Sequence, residues 1–177
     1  MRITFIEPSP PGFHIYSFVK QVRIGLPLMA TMLRDRGHDV RVCAEALGDI
    51  DWNRVLSSDL VGISTTTSTV IKAYRYAEKA REAGIPVAMG GPHVTFQAEE
   101  AMEYCDFVVR GEGEEAIMEL ADYLRGRRTL DSILGLTYRA KDGTVVNNPA
   151  RPLRATLTDL PWPDYSLVDH QEKIFPL

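Results

Sequence analysis

The stretch PVAMGGPH, residues 86–93, is an apolar run that ends in two glycines, a proline and a histidine. Such a short run, bounded by proline and glycine, is typical of a buried parallel strand. Gly90 and Gly91 carry no Cβ, so a bulky ligand could approach their main chain closely. The helical pattern resumes at Thr95. We therefore expect a cofactor-contacting loop at 90–93, although a plain strand-to-helix turn would explain the same residues.

Strand and helix patterns alternate on both sides of this stretch. Short runs of β-branched and apolar residues predict strands, and apolar residues spaced three and four apart predict helices between them. The predicted strands are 2–7, 39–43, 60–64, the opening stretch itself and 106–110. The predicted helices carry Leu26 to Leu33, Trp52 to Leu56, Val70 to Ala80, Ala98 to Cys105 and Ile117 to Leu124.

Five strands that alternate with helices, joined by right-handed crossovers, predict an α/β fold with a doubly wound, five-stranded parallel sheet of Rossmann or flavodoxin type. We expect the strand order 2-1-3-4-5, whose switch point lies between strands one and three. Ligands bind at the carboxyl ends of strands near such a point. The loops 8–16, 64–69 and 90–93 should converge there, and the second of these consists of six hydroxyl residues.

The last third of the chain departs from this alternation. Residues 135–139 and 144–147 flank Asp142-Gly143, which is a strong hairpin signal. From Asn148 onward the sequence is rich in proline and has no apolar pattern for a core of its own. We therefore predict an α/β domain at 1–130, a small β-hairpin appendage at 131–148 and an extended C-terminal strap at 149–177.

Composition excludes some classes of protein. The 177 residues are 45% apolar and 25% charged, with a net charge of -4, which argues against non-specific nucleic-acid binding. No apolar run approaches the roughly 18 residues of a membrane span, and the first residues resemble a strand, not a signal peptide. We expect a cytoplasmic protein without a membrane partner. Cys43 and Cys105 stand alone and are expected to be buried hydrophobic residues.

Several site chemistries fit the predicted loops poorly. Gly111-Glu112-Gly113 begins like a dinucleotide fingerprint, but its carboxylate would repel a pyrophosphate. Ser64 stands where a response regulator carries its phospho-acceptor aspartate, and the hydroxyl-rich loop follows strand three, whereas a flavodoxin has it after strand one. The loops offer no lysine or arginine at a helix N-terminus for a phosphate and no nucleophile–base set. His14 and His93 could bind a metal or hydrogen-bond a ligand. The loops therefore indicate a binding module.

Five motifs occur in a fixed order along the chain: LPLMA at 26–30, RGHDV at 36–40, GGPH at 90–93, DFVVRGEGE at 106–114 and LPWP at 160–163. In this order and spacing they resemble the N-terminal half of cobalamin-dependent radical SAM enzymes, over nearly the whole chain. The resemblance implies a cobalamin at the carboxyl edge of the sheet, with its nucleotide tail inserted between the sheet and the helices.

The resemblance also implies which residues contact this cofactor. A Ser-x-Thr element after strand three, here Ser64-Thr65-Thr66, lines the tail together with Gly90-Gly91. Domains that ligate cobalt use Asp-x-His-x-x-Gly, whereas Gly12 and Ser17 flank His14 here. We therefore expect base-off cobalamin without a histidine on cobalt, and neither catalytic nor metal-binding residues in this chain. The expected cofactor-binding residues are Pro8, Ser9, Tyr16, Ser64, Thr65, Thr66, Gly90, Gly91, Pro92, His93, Gly111, Glu112 and Gly113.

Radical SAM chemistry needs three cysteines in a Cys-x-x-x-Cys-x-x-Cys motif for its 4Fe-4S cluster, and this chain has two isolated cysteines. We expect a fragment that binds cofactor and ends before a C-terminal radical SAM barrel. The parent enzyme would use S-adenosyl-L-methionine and cobalamin to methylate an unreactive carbon or phosphorus centre, or would use cobalamin less directly in a ring rearrangement. The alternative is a free-standing Rossmann-like module that binds a flavin, a nucleotide or a partner protein.

Overall fold

Seven strands form one mixed sheet in the computed structural model of this chain, which describes residues 1–12 and 20–174. The strands are β1 (Arg2–Glu7), β2 (Asp39–Ala44), β3 (Leu60–Ser64), β4 (Val87–Gly90), β5 (Phe107–Val109), β6 (Leu136–Arg139) and β7 (Val145–Asn147). The helices are α1 (Gly25–Asp35), α2 (Trp52–Val55), α3 (Val70–Glu82), α4 (Pro92–Phe96), α5 (Ala98–Ala101) and α6 (Glu114–Leu124). The spatial order is β2-β1-β3-β4-β5-β6-β7, and the first five of these strands are parallel.

The predicted count of five strands is wrong, because the hairpin continues the main sheet. Strand β6 pairs antiparallel with β5, with Leu136 opposite Val109. The Asn148 side chain donates hydrogen bonds to the carbonyl oxygens of Leu130 and Ile133, at 2.7 and 2.8 Å, and holds the chain where it leaves the hairpin. This pairing covers an edge of β5 that would otherwise present unpaired backbone groups. The Asp142-Gly143 turn signal predicts the hairpin, but it does not predict that the hairpin pairs with β5.

The helix after β4 begins earlier than the sequence predicts. The helical pattern is recognisable from Thr95, whereas α4 begins at Pro92, directly after Gly91. Proline suits the first helical position because its φ fits and its missing N–H needs no partner there. The backbone then breaks at Gln97, with φ -122° and ψ 47°, so the predicted helix over 98–105 is reduced to the short helix α5.

Two apolar cores lie on opposite faces of the sheet. Phe5 packs in one core with α1 and α6, and Ile6 packs in the other with α3 and α4. Successive strand residues point to opposite faces, which explains why these two neighbours lie in different cores. The result is a three-layer domain in which α1 and α6 cover one face of the sheet.

The strap, residues 149–174 of the described chain, lies across α6 and α1 and reaches the free edge of β2. Arg151 pairs with Glu115, at 2.5 Å, and with Glu119 on α6. Val168 forms an isolated bridge with Val42 of β2. The strap therefore contacts the domain at separate points, and Leu153, Leu157 and Trp162 between them are exposed. Within the described residues, no helix is both long and apolar enough to span a membrane.

Candidate functional site

Two neighbouring strands present small residues to the same face of the sheet near their carboxyl ends. Gly62 and Ser64 of β3 lie opposite Ala88 and Gly90 of β4, respectively. Because strand residues two apart share a face, these four residues form a floor without bulky side chains. Phe5 is the register partner of Gly62 in β1, and its side chain borders the floor.

A cavity of about 210 Å³ opens above this floor. Helices α1 and α6 form the facing wall through Leu26, Met29 and Ile117. The mouth lies at the carboxyl edge of the sheet, beside Gly91 and the turn at 111–114. Most of the lining is apolar, so the cavity suits a flat and largely apolar group that enters from the sheet edge.

Gly90 and Gly91 have different roles at this mouth. A Cβ on Gly90 would meet nothing nearer than the Val109 carbonyl oxygen at 3.6 Å, so its bare main chain leaves open space. Gly91 has φ 101°, and a Cβ there would run into the backbone of Thr65, lying 2.8 Å from its nitrogen. Any other residue would be strained at this position. Gly91 therefore shapes the turn, whereas Gly90 leaves room for a ligand.

Most hydroxyl groups after β3 bond within the protein and do not face the cavity. Thr65 donates its amide, at 2.8 Å, and its hydroxyl, at 3.0 Å, to the Gly90 carbonyl oxygen. The Thr66 amide donates to the Thr69 hydroxyl at 3.0 Å. Ser64 instead lines the cavity, and its hydroxyl has no hydrogen-bond partner among residues 1–12 and 20–174. In this loop, Ser64 is therefore the hydroxyl placed to meet a ligand.

His93 and Pro92 lie beside the cavity. The His93 Nδ1 atom is 3.2 Å from the Thr67 hydroxyl, and its Nε2 atom is 3.7 Å from the Glu100 carboxylate. Nε2 is buried and has no hydrogen-bond partner within the described chain. Pro92 is exposed as the first residue of α4. The His93 ring thus connects the loop after β3 with α5 and does not reach the cavity.

Pro8 and Ser9 are held in place by a carboxylate that follows β2. Glu45 accepts hydrogen bonds from the Ser9 amide at 2.7 Å, from Lys72 at 3.0 Å and from the Tyr76 hydroxyl at 2.8 Å. Burial alone would raise the pKa of Glu45, but these hydrogen bonds outweigh it and hold the pKa below its ordinary value. The interactions fix the start of the loop after β1 against α3.

Glu7 and Arg23 form a pair at the carboxyl end of β1 that no sequence motif indicates. The Arg23 Nε atom lies 3.3 Å from the Glu7 carboxylate, and the guanidinium also donates to the Ser64 carbonyl oxygen at 3.1 Å. Burial raises the pKa of Glu7, and the charge and hydrogen bonds of Arg23 oppose this rise. Arg23 lies just before α1, so the expectation that no cation lies near a helix N-terminus is wrong. Its pairing with Glu7 still argues against a phosphate site.

The turn after β5 forms the other side of the mouth. Gly111 has φ 76°, which glycine adopts without strain. A Cβ on Gly113 would lie 3.1 Å from the Met29 sulfur, so this glycine lets α1 and α6 approach each other. The Glu112 carboxylate accepts a hydrogen bond from the Arg154 amide at 3.1 Å. The mouth of the cavity is therefore tied to the strap.

The cavity brings together about half of the residues predicted for the site. Those that line it are Ser64, Gly90, Gly91, Gly111, Glu112 and Gly113. The predicted residues outside the lining are Pro8, Ser9, Thr65, Thr66, Pro92 and His93. Tyr16, like His14, lies outside the described residues. Gly62, Ala88 and Met29 also line the cavity, although no motif in the sequence indicates them as lining residues. The available signal was the alternation of small residues in LVGIS and VAMG, which places them on one face.

Residues 19–121 match a family model described as the B12 binding domain. The match covers more than half of the chain. The chain belongs to the B12-binding domain family. Cobalamin is the cofactor of this family, as the resemblance drawn from the sequence implies, and that resemblance is confirmed.

Curated relatives of this B12-binding domain include two larger proteins. An uncharacterized methyltransferase of Pyrococcus horikoshii is 42% identical over 82% of this chain and 34% of its own length. The anaerobic magnesium-protoporphyrin IX monomethyl ester cyclase of Rubrivivax gelatinosus is 33% identical over 99% of this chain and 34% of its own length. The chain therefore spans about a third of the length of these relatives.

Two solved structures share the fold of this B12-binding domain. The cobalamin-dependent S-adenosylmethionine radical enzyme OxsB superposes with a TM-score of 0.70, at 17% identity, over 86% of this chain and 22% of that one. The radical S-adenosylmethionine methyltransferase TsrM from Kitasatospora setae superposes with a TM-score of 0.64, at 23% identity, over 84% of this chain and 30% of that one.

The cavity fits the nucleotide tail of cobalamin in size and chemistry. A dry cavity of about 150 Å³ accepts a benzene ring, so a cavity of about 210 Å³ leaves room for the fused double ring at the end of the tail. The floor of Gly62, Ala88 and Gly90 gives such a ring a surface to lie on, and the Ser64 hydroxyl on the same face can donate to a ring nitrogen.

Proposed function

We propose that this chain holds cobalamin with the nucleotide tail in the cavity and the corrin ring over the carboxyl edge of the sheet. The observation that carries the proposal is the floor of Gly62, Ser64, Ala88 and Gly90, which leads from the apolar interior of the cavity to its mouth. A tail that enters there would bury its ring against bare main chain and apolar side chains.

The proposed contacts follow from where each residue lies. Ser64 would donate to a ring nitrogen of the tail, Gly90 would leave room for it, and Gly91 would shape the turn at the mouth. The turn at 111–113 would meet amide groups at the edge of the corrin ring. The other residues predicted for the site would support these loops from beside the cavity: Pro8, Ser9, Thr65, Thr66, Pro92 and His93.

We propose that no histidine of this chain ligates the cobalt. The His93 ring is directed to Thr67 and Glu100, and His170 packs against Gly48. His14 lies outside the described residues, and Gly12 and Ser17 stand where cobalt-ligating domains carry aspartate and glycine. With its tail in the cavity and no protein imidazole on the metal, cobalamin would be base-off.

We propose further that the chain serves a radical SAM enzyme, in which a C-terminal domain in cis would hold the 4Fe-4S cluster and S-adenosyl-L-methionine. Relatives named as methyltransferases and the fold shared with two radical SAM enzymes support this proposal. Bound cobalamin supplies a cobalt centre that can carry a methyl group to an unreactive carbon or phosphorus atom. This chain would contribute the binding site, in the cytoplasm.

An ultraviolet–visible titration of the purified chain with hydroxocobalamin tests the proposal. We expect saturable binding with a base-off spectrum. Gly90→Leu should abolish binding, because its side chain would project into open cavity space without backbone strain. Ala83→Leu adds three of these four side-chain carbons at the exposed end of α3 and serves as the matched control.

Each outcome decides a separate part of the proposal. Binding that is lost in Gly90→Leu and kept in Ala83→Leu supports the cavity as the site of the tail. A spectrum with an imidazole on cobalt would reject the base-off assignment. A folded wild-type chain that does not bind hydroxocobalamin, or that binds a flavin instead, would overturn the proposed function.

A further inference from the structure

The walls of the cavity are apolar away from its mouth. Phe5, Leu26, Ala88, Val109 and Ile117 line it and are each less than a tenth exposed. Among the described lining residues, side-chain oxygen or nitrogen atoms come only from Ser64, Glu112 and Glu114. These three lie at the end of β3 and in the turn that leads into α6, which is the mouth side.

The position of these polar atoms at the mouth affects which base at the end of the nucleotide tail, called the lower base, the cavity accepts. Cobamides share the corrin ring and differ in the base at the end of the nucleotide tail. Both 5,6-dimethylbenzimidazole and adenine contain an imidazole ring, so the Ser64 hydroxyl can donate to either. They differ in the six-membered ring, which carries two methyl groups in the first base, and ring nitrogens and an amino group in the second.

We infer that this cavity selects cobamides by their lower base and favours dimethylbenzimidazole over adenine. The inference rests on the proposed function, because it assumes that the tail occupies the cavity. Methyl groups would replace water against Phe5, Met29 and Ile117, which is favourable. The amino group and ring nitrogens of adenine would be buried there without hydrogen-bond partners, which is costly.

Binding titrations with three corrinoids test this selectivity: cobalamin, the cobamide with an adenine lower base, and cobinamide, which has no nucleotide tail. We expect cobalamin to bind about ten- to a hundredfold more tightly than the adenine form, which is the range for leaving buried polar groups unpaired. Cobinamide should also bind more weakly than cobalamin. Absorbance and calorimetric titrations report affinity without any need for enzymatic turnover.

A variant that adds a polar group to the wall should narrow the preference. Met29→Gln keeps the shape of the side chain and places an amide in the cavity lining, where it can pair with adenine. Met32→Gln, on the same helix but outside the lining, should leave the preference unchanged and is the control. If Met29→Gln does not fold, the affinities of the wild-type chain for the three corrinoids are sufficient to test the selectivity.

The outcomes separate this inference from the proposal beneath it. Tighter binding of cobalamin than of the adenine form, with weak binding of cobinamide, supports the selectivity. Equal binding of cobalamin and the adenine form overturns the selectivity and leaves the cobalamin site intact. Equal binding of cobinamide and cobalamin shows that the tail adds nothing and overturns it too. If no corrinoid binds to the folded chain, both proposals are rejected.

Discussion

The aromatic ring of Phe5 lies against the bare α-carbon of Gly62, so that a Cβ at position 62 would come within 2.5 Å of two ring carbons. The two residues are register partners in β1 and β3. Phe5 is only 2% exposed and borders the cavity. This contact therefore limits the depth of the cavity at the β1 end, and it requires glycine opposite the ring.

Gly62→Ala should lower the free energy of unfolding by about 1–3 kcal/mol, because the added methyl group forces the Phe5 ring out of its place. In an ordinary strand the same change is favourable, since glycine costs conformational entropy. Urea denaturation followed by circular dichroism measures the difference. Phe5→Leu in the Gly62→Ala chain should recover part of the loss. An unchanged urea midpoint for Gly62→Ala would show that the ring is not held against this glycine.

Alanine substitutions at the adjacent residues Gly90 and Gly91 should have different effects on the stability of the protein. Gly91→Ala is expected to cost about 1–3 kcal/mol, because the residue has positive φ and its Cβ would run into the Thr65 backbone. Gly90→Ala should change stability by less than about 1 kcal/mol, because the nearest atom would be 3.6 Å from the new Cβ. Thermal and urea denaturation of the pair measure the contrast. Equal losses in the two variants would contradict the separate roles of these glycines.

The sequence predicts the positions of strands and helices well where the signal is local. Strand β1 is recognised from its alternating pattern over 2–7, and β3 from an apolar run that ends at a hydroxyl-rich loop. The pairing of β6 with β5 is not local, because it joins residues brought together only by folding. Gln97 breaks the helix after β4 without the glycine or proline that usually marks such a break.

Local sequence patterns likewise predict some parts of the candidate site and not others. Of the three loops predicted to converge, 64–69 and 90–93 contribute lining residues, because the carboxyl ends of parallel strands meet at one edge of the sheet, whereas the described part of 8–16 contributes none. The floor of the cavity could be predicted only in part: alternation places the small residues of each strand on one face, but the register that sets Gly62 opposite Ala88 is not local. The Glu7–Arg23 pair joins residues across a loop that has no motif. Strand register and pairs between distant residues are tertiary properties, which local patterns do not encode.

Glu45 should make the protein sensitive to acid. Its pKa is held below its ordinary value of 4.5, so its ionised form contributes stability that is present above pH 4.5 and is lost as the pH falls through the folded-state pKa. Glu45→Gln should therefore be less stable than wild type at pH 7. The difference should shrink as the pH falls below 4.5, because the carboxyl group takes up a proton first in the unfolded chain and, at still lower pH, in the folded chain. Urea denaturation across this pH range measures the convergence.

Glu78→Gln is the matched control for this titration, because Glu78 is exposed on α3. It should follow the wild-type stability curve at every pH. A difference between Glu45→Gln and wild type that stays constant from pH 7 to below pH 4 would mean that the carboxylate charge is not what holds Ser9, Lys72 and Tyr76.

Arg151 anchors the strap on α6, and its removal should loosen that segment. Its side chain is 11% exposed and bonds the exposed Glu115 and the partly buried Glu119. Arg151→Met removes these bonds, but Glu115 keeps Arg154 and Glu119 keeps Arg128, so the expected cost is about 1 kcal/mol. Limited proteolysis should then cut within 149–160 sooner than in wild type, while the exposed Arg127→Met control should not change the pattern. Glu119→Gln combined with Arg151→Met should cost less than the sum of the single changes, because the two residues act as a pair. Additive losses with unchanged proteolysis would show that the strap is held by other contacts.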